Sequence, residues 1–537
     1  MSVLSCSCAR STPRHLPFII KRNHRRTSST TTTMATTDMV ASSTTAPRLF
    51  IRNQPVETET FDSIDPATGK AWIQVPACTK AMAEDAVSSA KDAQEAWAAT
   101  PLLDRIAMLE LAADRIEAIA DKLADALVHD QGKPLQMAQG EIKFTSKGIN
   151  RLSARTIPEE TVESDFMIEK LQHRPLGVVC CIAPWNFPAI ISALKWSRAL
   201  FYGNTVIVKP SPETPVVDLM IAEALAGDGT WQPPSNNEKG SVFPSGVFTV
   251  LTAPDGGTDF NLGAFLSLHP SIRGVSFTGS TSTGKSILAS SSTDVKRVTL
   301  EMGGNDAAII RPDVDVKETA KQIFNESMVN TGQVCIAIKR VYCHESIYYD
   351  FVQALVEQAE EAASTVGSGF DEGVKYGPIN NARQLERVKE LIEDAVAQGA
   401  TVVAGGGSPP GTTAGTDGFF FAPTILTGVH EGMRIVDEEQ FGPVLPVMPY
   451  NTDEEAISRA NHGEYGLGAS VWTKDMEAAN MIANRLDAGS VWENCHGNLG
   501  SGQLPFGGRK ASGLGREHGE TADLACYTES VVVRAMK

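Results

Sequence analysis

From about residue 171 onward, short apolar runs of strand length alternate with helix-length segments, and this alternation limits the folds open to the chain more than any other feature. Residues 178–183, 205–208, 247–251 and 274–277 read as strands, and 192–200, 216–225 and 286–289 as helices between or after them. Strands joined through helices form βαβ units, which predicts a parallel sheet. The alternation resumes after Cys335, with a strand at 340–344 and a helix at 348–363, so a second α/β unit is expected. Ahead of both, 79–153 reads as helical, since 81–97 and 102–128 carry apolar residues at helical spacing and Pro101 stands at a helix start. The polar stretch 235–240 reads as an exposed loop, and 531–534 as a strand that needs a sheet to join, with another subunit as a candidate host. A chain of 537 residues exceeds the size of one core, which predicts two or three domains.

The segment Phe277-Thr-Gly279-Ser-Thr-Ser-Thr-Gly284-Lys285-Ser286 follows a predicted strand and precedes a helix. It matches the P-loop pattern, which would make the protein a magnesium-dependent ATPase or phosphotransferase. The same physics serves a dinucleotide, because a glycine-rich strand-to-helix turn offers backbone N–H groups and a helix N-terminus to any pyrophosphate. A P-loop enzyme also needs a second apolar strand ending in Asp. Ala307-Ala-Ile-Ile310 runs into Arg311-Pro312 before Asp313, and 298–301 ends in Glu301, so neither fits well. The dinucleotide reading is favoured.

Two further stretches carry reactive groups. Val298-Thr-Leu-Glu-Met-Gly-Gly304 reads as a strand ending in a carboxylate, and Asn330-Thr-Gly-Gln-Val-Cys335 puts a thiol after a polar turn. Glu301 and Cys335 stand 34 positions apart, so only the fold can unite them. United, they would have the layout of covalent catalysis, a nucleophile with a base beside it.

Charge and composition exclude several classes. A formal net charge of −17 argues against nucleic acid or an anionic membrane as partner. No apolar run approaches the roughly 20 residues of a membrane span. The nine cysteines are odd in number and without a Cys-x-x-Cys pair, so neither a disulfide framework nor a zinc site is expected. Residues 1–46 differ from the rest: six Lys or Arg precede the first acidic residue, Asp38, and Ser and Thr crowd 27–37. That is the composition of a transit peptide, with a mitochondrial address ahead of a plastid one. A start at Met34 would leave the product cytoplasmic.

Pro184-Trp-Asn-Phe-Pro188, Val208-Lys-Pro-Ser211, Leu300-Glu-Met-Gly-Gly304, Gly332-Gln-Val-Cys335, Glu438-Glu-Gln-Phe-Gly-Pro443 and Pro505-Phe-Gly-Gly508 follow one another in this order. Together they make the chain from about Phe50 onward resemble the aldehyde dehydrogenase superfamily. The resemblance implies a Rossmann-like cofactor domain (48–156 and 176–303), an α/β catalytic domain (304–511) and a small β oligomerisation arm (157–175 and 520–537) that joins a homodimer or homotetramer. It implies oxidation of an aldehyde to its carboxylic acid with NAD or NADP. Cys335 would be the nucleophile, Glu301 the general base and Asn186 an oxyanion donor, with Lys195 and Glu517 supporting proton handling. Lys209, Gly279, Ser280, Gly284, Glu439, Phe441 and Trp185 would hold the cofactor, and Phe187, Leu194 and Phe506 would line the aldehyde tunnel; no metal is implied. One departure stands out. Where the family often carries a Glu three positions after the Lys at 209, this chain has Pro212, with Glu213 next, which weakens discrimination against a 2′-phosphate. The segment 495–503 is expected to edge the tunnel, whose mouth Val334 and Ile336 would make apolar.

Overall fold

The computed structural model describes residues 46–233, 239–256, 260–410 and 418–537. The leader expected over 1–46, save its last residue, and most of the loop expected at 235–240 lie outside the described residues.

Five parallel strands form the first sheet, in the spatial order Arg297–Glu301, Ile272–Thr278, Val178–Ile182, Thr205–Lys209, Phe248–Val250. The two-residue strand Gly513–Leu514 adds antiparallel to the Arg297–Glu301 edge. In chain order Val178–Ile182 comes first; the chain steps outward through two neighbours and then crosses back to lay Ile272–Thr278 on its other side. Open α/β sheets bind ligands at such a reversal, outside the carboxyl ends of the strands. The loop bearing Asn186 follows one of those ends, and the turn at Gly279 the other. Val, Ile and Cys fill Val178–Ile182 with every residue buried, the pattern of a strand covered on both faces. Pro188 opens the helix Pro188–Phe201 at a position where its missing N–H costs nothing.

The second sheet runs Thr401–Ala404, Thr424–Thr427, Val444–Tyr450, Ile338–His344, Asp306–Ile310, Gly468–Trp472, Ser490–Glu493. All its pairs are parallel except the first. Alternate residues face opposite sides: Ala307 and Ile309 enter one hydrophobic core with Tyr342, while Ala308 and Ile310 enter another with Val341 and Cys343. The chain passes from the first sheet to the second between Glu301 and Asp306. Glu301 therefore closes one sheet just before the other begins. This is the mixed α/β architecture expected, with a Rossmann-like sheet, an α/β catalytic part and a small β arm.

Two expectations change. Residues 102–128 are not one helix but two, Leu102–Ala118 and Ala120–Gln131, parted at Ile119 (φ −115°, ψ 18°). The C-terminal strand needs no other subunit to pair, because Thr528–Met536 lies antiparallel to Met167–Pro175 of the same chain along its whole length. A partner over 350 positions away leaves no local trace in sequence. No helix among the described residues is long and apolar enough to cross a membrane.

Candidate active site

The turn that carries Cys335 is built at a backbone cost. After the helix Val316–Met328, Asn330 (φ 51°), Thr331 (φ 58°) and Gly332 (φ 70°) are all left-handed, a conformation that β-branched Thr rarely adopts. Side-chain hydrogen bonds hold it. Asn330 Nδ2 donates to the Asn186 carbonyl (3.1 Å), Thr331 Oγ1 to Gly377 O (2.9 Å), and Gln333 Nε2 to Asn330 O (2.9 Å), while Lys339 Nζ donates to Gly332 O. A Cβ on residue 332 would lie 2.1 Å from Gly442 O, so only glycine fits. The turn delivers Cys335, partly exposed, so that its Sγ–H donates to Glu301 Oε1 at 3.1 Å.

Glu301 ends its strand buried, with Oε2 accepting from Thr278 Oγ1 at 3.1 Å. Burial first, and then repulsion from Glu517, raise its carboxyl above the ordinary range. Burial, followed by the charge of Glu301 and the hydrogen bond to it, pushes the Cys335 thiol well above the usual thiol range. At rest, then, the thiol holds its proton beside a base of enhanced strength. Burial also opposes ionisation of Glu517, but there Lys195 wins and the carboxyl sits below its ordinary range. Lys195 Nζ lies 2.6 Å from Glu517 Oε1 and 3.2 Å from Ser276 Oγ, which itself donates to Glu517 Oε1 at 2.7 Å. Two neighbouring carboxyls are thus pushed apart in proton affinity, as acid–base sites require.

Asn186 completes the group. Its Nδ2 donates to Gln333 O at 3.0 Å, and its carbonyl accepts from Lys133 Nζ at 2.9 Å as well as from Asn330. Trp185 meets Phe441 edge to face, ring centroids 5.1 Å apart. The Phe187 ring lies 4.0 Å from Lys133 Nζ. Half-buried Leu194 faces Gly148, where a Cβ would come within 2.9 Å of it. Phe506 is buried and exchanges two 2.7 Å backbone hydrogen bonds with Glu517, which ties this predicted tunnel residue to the carboxyl network.

On the nucleotide side, Gly279 N donates to Glu301 O (3.1 Å), and Ser280 caps the helix Thr281–Ser291, its Oγ accepting from Thr283 N. The P-loop alternative finds no support here. The helix begins two residues after Gly279, exposed Lys285 pairs with Glu464 (3.1 Å), and Ser286 Oγ donates to Ser282 O within the helix. Gly284 serves close packing instead, since a Cβ there would lie 2.3 Å from Met302 Sδ. Buried Thr281 Oγ1, at the positive end of this helix, has no hydrogen-bond partner among the described residues. An orphaned donor at a helix N-terminus fits a pyrophosphate. Glu439 Oε1 accepts from Gly304 N at 3.0 Å, and burial raises its carboxyl despite Lys339. Lys209 ends its strand with Nζ donating to Pro210 O (3.1 Å), its ammonium pulled down by burial.

The segment 495–503 reaches the residue after Cys335, because His496 Nε2 donates to Ile336 O at 2.8 Å, and Arg151 Nη1 donates to Ser501 O at 3.3 Å. Exchanging 495–503 for the equivalent loop of an enzyme with another substrate is expected to move kcat/KM ratios between aldehydes about tenfold or more, with cofactor KM unchanged. Unaltered ratios would remove the loop from substrate selection.

Thus Cys335, Glu301, Asn186, Lys195 and Glu517 gather into one hydrogen-bonded and electrostatic group. Lys133, paired with buried Glu141, and Asn330, Gln333 and Lys339 support it and went unread in the sequence. Asn330 and Gln333 lie inside a stretch already singled out, while Lys133 and Glu141 have no local signal beyond a helix stop at Gly132.

The chain is thus an α/β protein whose parallel sheet sets a capped glycine turn at its reversal point, next to a thiol–carboxylate pair. Residues 53–533 match the model of the aldehyde dehydrogenase family, and the chain belongs to that family. It is 38% identical over 469 residues to an aldehyde dehydrogenase of Fusarium, covering 87% of this chain and 94% of the relative. It is 35% identical to a mitochondrial aldehyde dehydrogenase of Mesocricetus auratus, covering 90% and 93%. Among solved structures, betaine aldehyde dehydrogenase from Staphylococcus aureus in complex with NAD+ superimposes with a TM-score of 0.84 at 31% identity, covering 91% and 94%. An aldehyde dehydrogenase from Bacillus cereus gives 0.84 at 36% identity, covering 91% and 96%.

Proposed function

We propose that this aldehyde dehydrogenase oxidises its aldehyde to the carboxylic acid with NAD or NADP through covalent attachment to Cys335. The observation that carries the reading is the 3.1 Å Sγ–H···Oε1 bond between Cys335 and Glu301. Glu301 takes the thiol proton, and the sulfur adds to the aldehyde carbon to form a thiohemiacetal. Asn186 Nδ2 spends one N–H on Gln333 O, leaving the other, with the Cys335 backbone N–H, for the oxyanion. The nicotinamide, when bound, supplies the acceptor for the hydride lost as the adduct becomes a thioester. Once Glu301 has passed the thiol proton to solvent, it removes a proton from water, which attacks the thioester carbon; the acid leaves, and the departing Cys335 thiolate takes the proton back from Glu301. Lys195 and Glu517 keep a fixed charge pair beside Glu301 that tunes its proton affinity. Glu439, Lys209, Gly279, Ser280, Gly284, Phe441 and Trp185 hold the cofactor, and Phe187, Leu194 and Phe506 line the aldehyde's path.

The test is to mix the purified protein with aliphatic, aromatic and carboxylated aldehydes and follow reduced nicotinamide with NAD and NADP separately. Silence with every aldehyde class overturns the proposal. With Pro212 where a carboxylate would repel a 2′-phosphate, the two cofactors should differ less than about tenfold in kcat/KM, and Pro212→Glu should disfavour NADP by a further factor of about ten. Unchanged cofactor ratios in that variant would remove position 212 from selection.

The exposed strand Glu160–Glu163 at the edge of the small sheet supports association with further copies into a homodimer or homotetramer. The basic, acid-poor leader and kinship with a mitochondrial enzyme support a mitochondrial address.

A further inference from the structure

We propose that the buried Lys133–Glu141 ion pair positions Asn186 for the oxyanion, making both of them positioning residues for aldehyde oxidation; the assignment rests on the function proposed above. Lys133 follows Gly132, whose left-handed turn (φ 95°) closes the helix Ala120–Gln131, and Glu141 lies on the helix Leu135–Asn150. Their side chains approach to 2.5 Å at 0% and 1% exposure. Removing two charges from water is expensive, and an apolar pair of the same size would stabilise a core at least as well. Stability alone therefore does not account for the pair. Its outside partners do.

Lys133 Nζ makes one further hydrogen bond among the described residues, to the carbonyl of Asn186 (2.9 Å), and it lies over the ring of Phe187. Glu141 Oε1 accepts from Ala189 N (3.0 Å) and Ile190 N (3.3 Å), first-turn amides of the helix Pro188–Phe201 that have no partner within the helix. The cation grips the Asn186 carbonyl while the anion anchors the helix start three residues on. Asn186 in turn reaches forward to Gln333 O and receives Asn330 Nδ2, two residues on the turn that bears Cys335. The ion pair thus sits behind the loop as its rigid mount, with the nucleophile turn in front. A shift of the Asn186 backbone by a few tenths of an ångström would carry its free N–H away from the oxyanion position, where donor geometry decides the rate.

In the full-length protein, Lys133→Met should slow pre-steady-state formation of reduced nicotinamide by about 10²-fold, toward the loss expected for removing the donor itself. The aldehyde KM, cofactor binding and alkylation of Cys335 by iodoacetamide should stay within about threefold, because displacement at a saturated carbon develops no oxyanion. In an Asn186→Ala background the same substitution should cost less than about threefold more, since it acts through that residue. Glu141→Gln, which keeps the shape and an acceptor but not the charge, should lose less than Lys133→Met. If Lys133→Met does not fold, the apolar pair Lys133→Met/Glu141→Leu is the variant to measure, with the same loss expected. The proposal is overturned if these variants keep the wild-type rate, if alkylation slows in step with hydride release, or if the loss repeats in full on top of Asn186→Ala. Failure of the wild-type chain to oxidise any aldehyde would instead overturn the function, and this assignment with it.

Discussion

Cys335→Ala should reduce aldehyde-dependent formation of reduced nicotinamide by roughly 10⁵-fold or more, the scale expected when the nucleophile of a covalent mechanism is removed. The fold should barely notice. The turn is held by Asn330, Thr331, Gln333 and Lys339, none of which bonds to the sulfur, and Glu301 keeps its hydrogen bond from Thr278. Deleting Sγ costs buried Glu301 one of the two side-chain hydrogen bonds it makes among the described residues, so the melting temperature should fall by no more than a few degrees. Steady-state assays and a melting curve on one preparation check both halves. Substantial turnover in a well-folded variant would mean that the reacting bond does not form at Cys335.

Glu301→Gln should separate the two chemical halves. The charge of Glu301 is part of what holds the Cys335 thiol in its protonated form, so neutralising it eases thiolate formation. Attack on the aldehyde and hydride release should therefore persist, more slowly because the thiol now loses its proton to solvent and not to Glu301, giving a burst of about one reduced nicotinamide per active site. Water activation should not persist. Steady-state turnover is expected to fall by about 10²–10⁴-fold, the usual contribution of a positioned general base. Because the wild-type carboxyl is raised by burial and by Glu517, it protonates at a higher pH than an ordinary glutamate. Wild-type deacylation should therefore fall as pH drops through that raised value, and the variant should lose this acidic limb. Stopped-flow bursts across a pH series decide the matter. A variant with neither burst nor turnover would mean that thiol deprotonation depends wholly on Glu301.

How far these residues could be read from the chain depends on the range of the contacts involved. The strands at 178–183 and 274–277 were legible because β-branched and apolar runs bounded by polar turns need a buried sheet, whatever surrounds them. Cys335, Glu301 and Asn186 were legible because each stands in a short motif, and six motifs in order point to a family. The residues of the glycine stretch favour a dinucleotide turn but leave a P-loop beside it. It took the tertiary structure to show Lys285 exposed on the helix that begins at Thr281 and paired with Glu464.

The rest belongs to tertiary structure. That a span of 34 positions folds back to set Sγ 3.1 Å from Oε1 follows from Glu301 ending one sheet and Cys335 standing just before a strand of the next. The pairing of Thr528–Met536 within its own chain, the junction of Lys195 with Glu517 across 322 positions, and the grip of Lys133 on Asn186 across 53 all depend on strand order. Local propensity and periodicity determined which segments become strands and helices, because those preferences act over a few residues. Strand order, and with it every distance in the site, was decided by which apolar faces could be buried together, a property of the whole chain that no window of it contains.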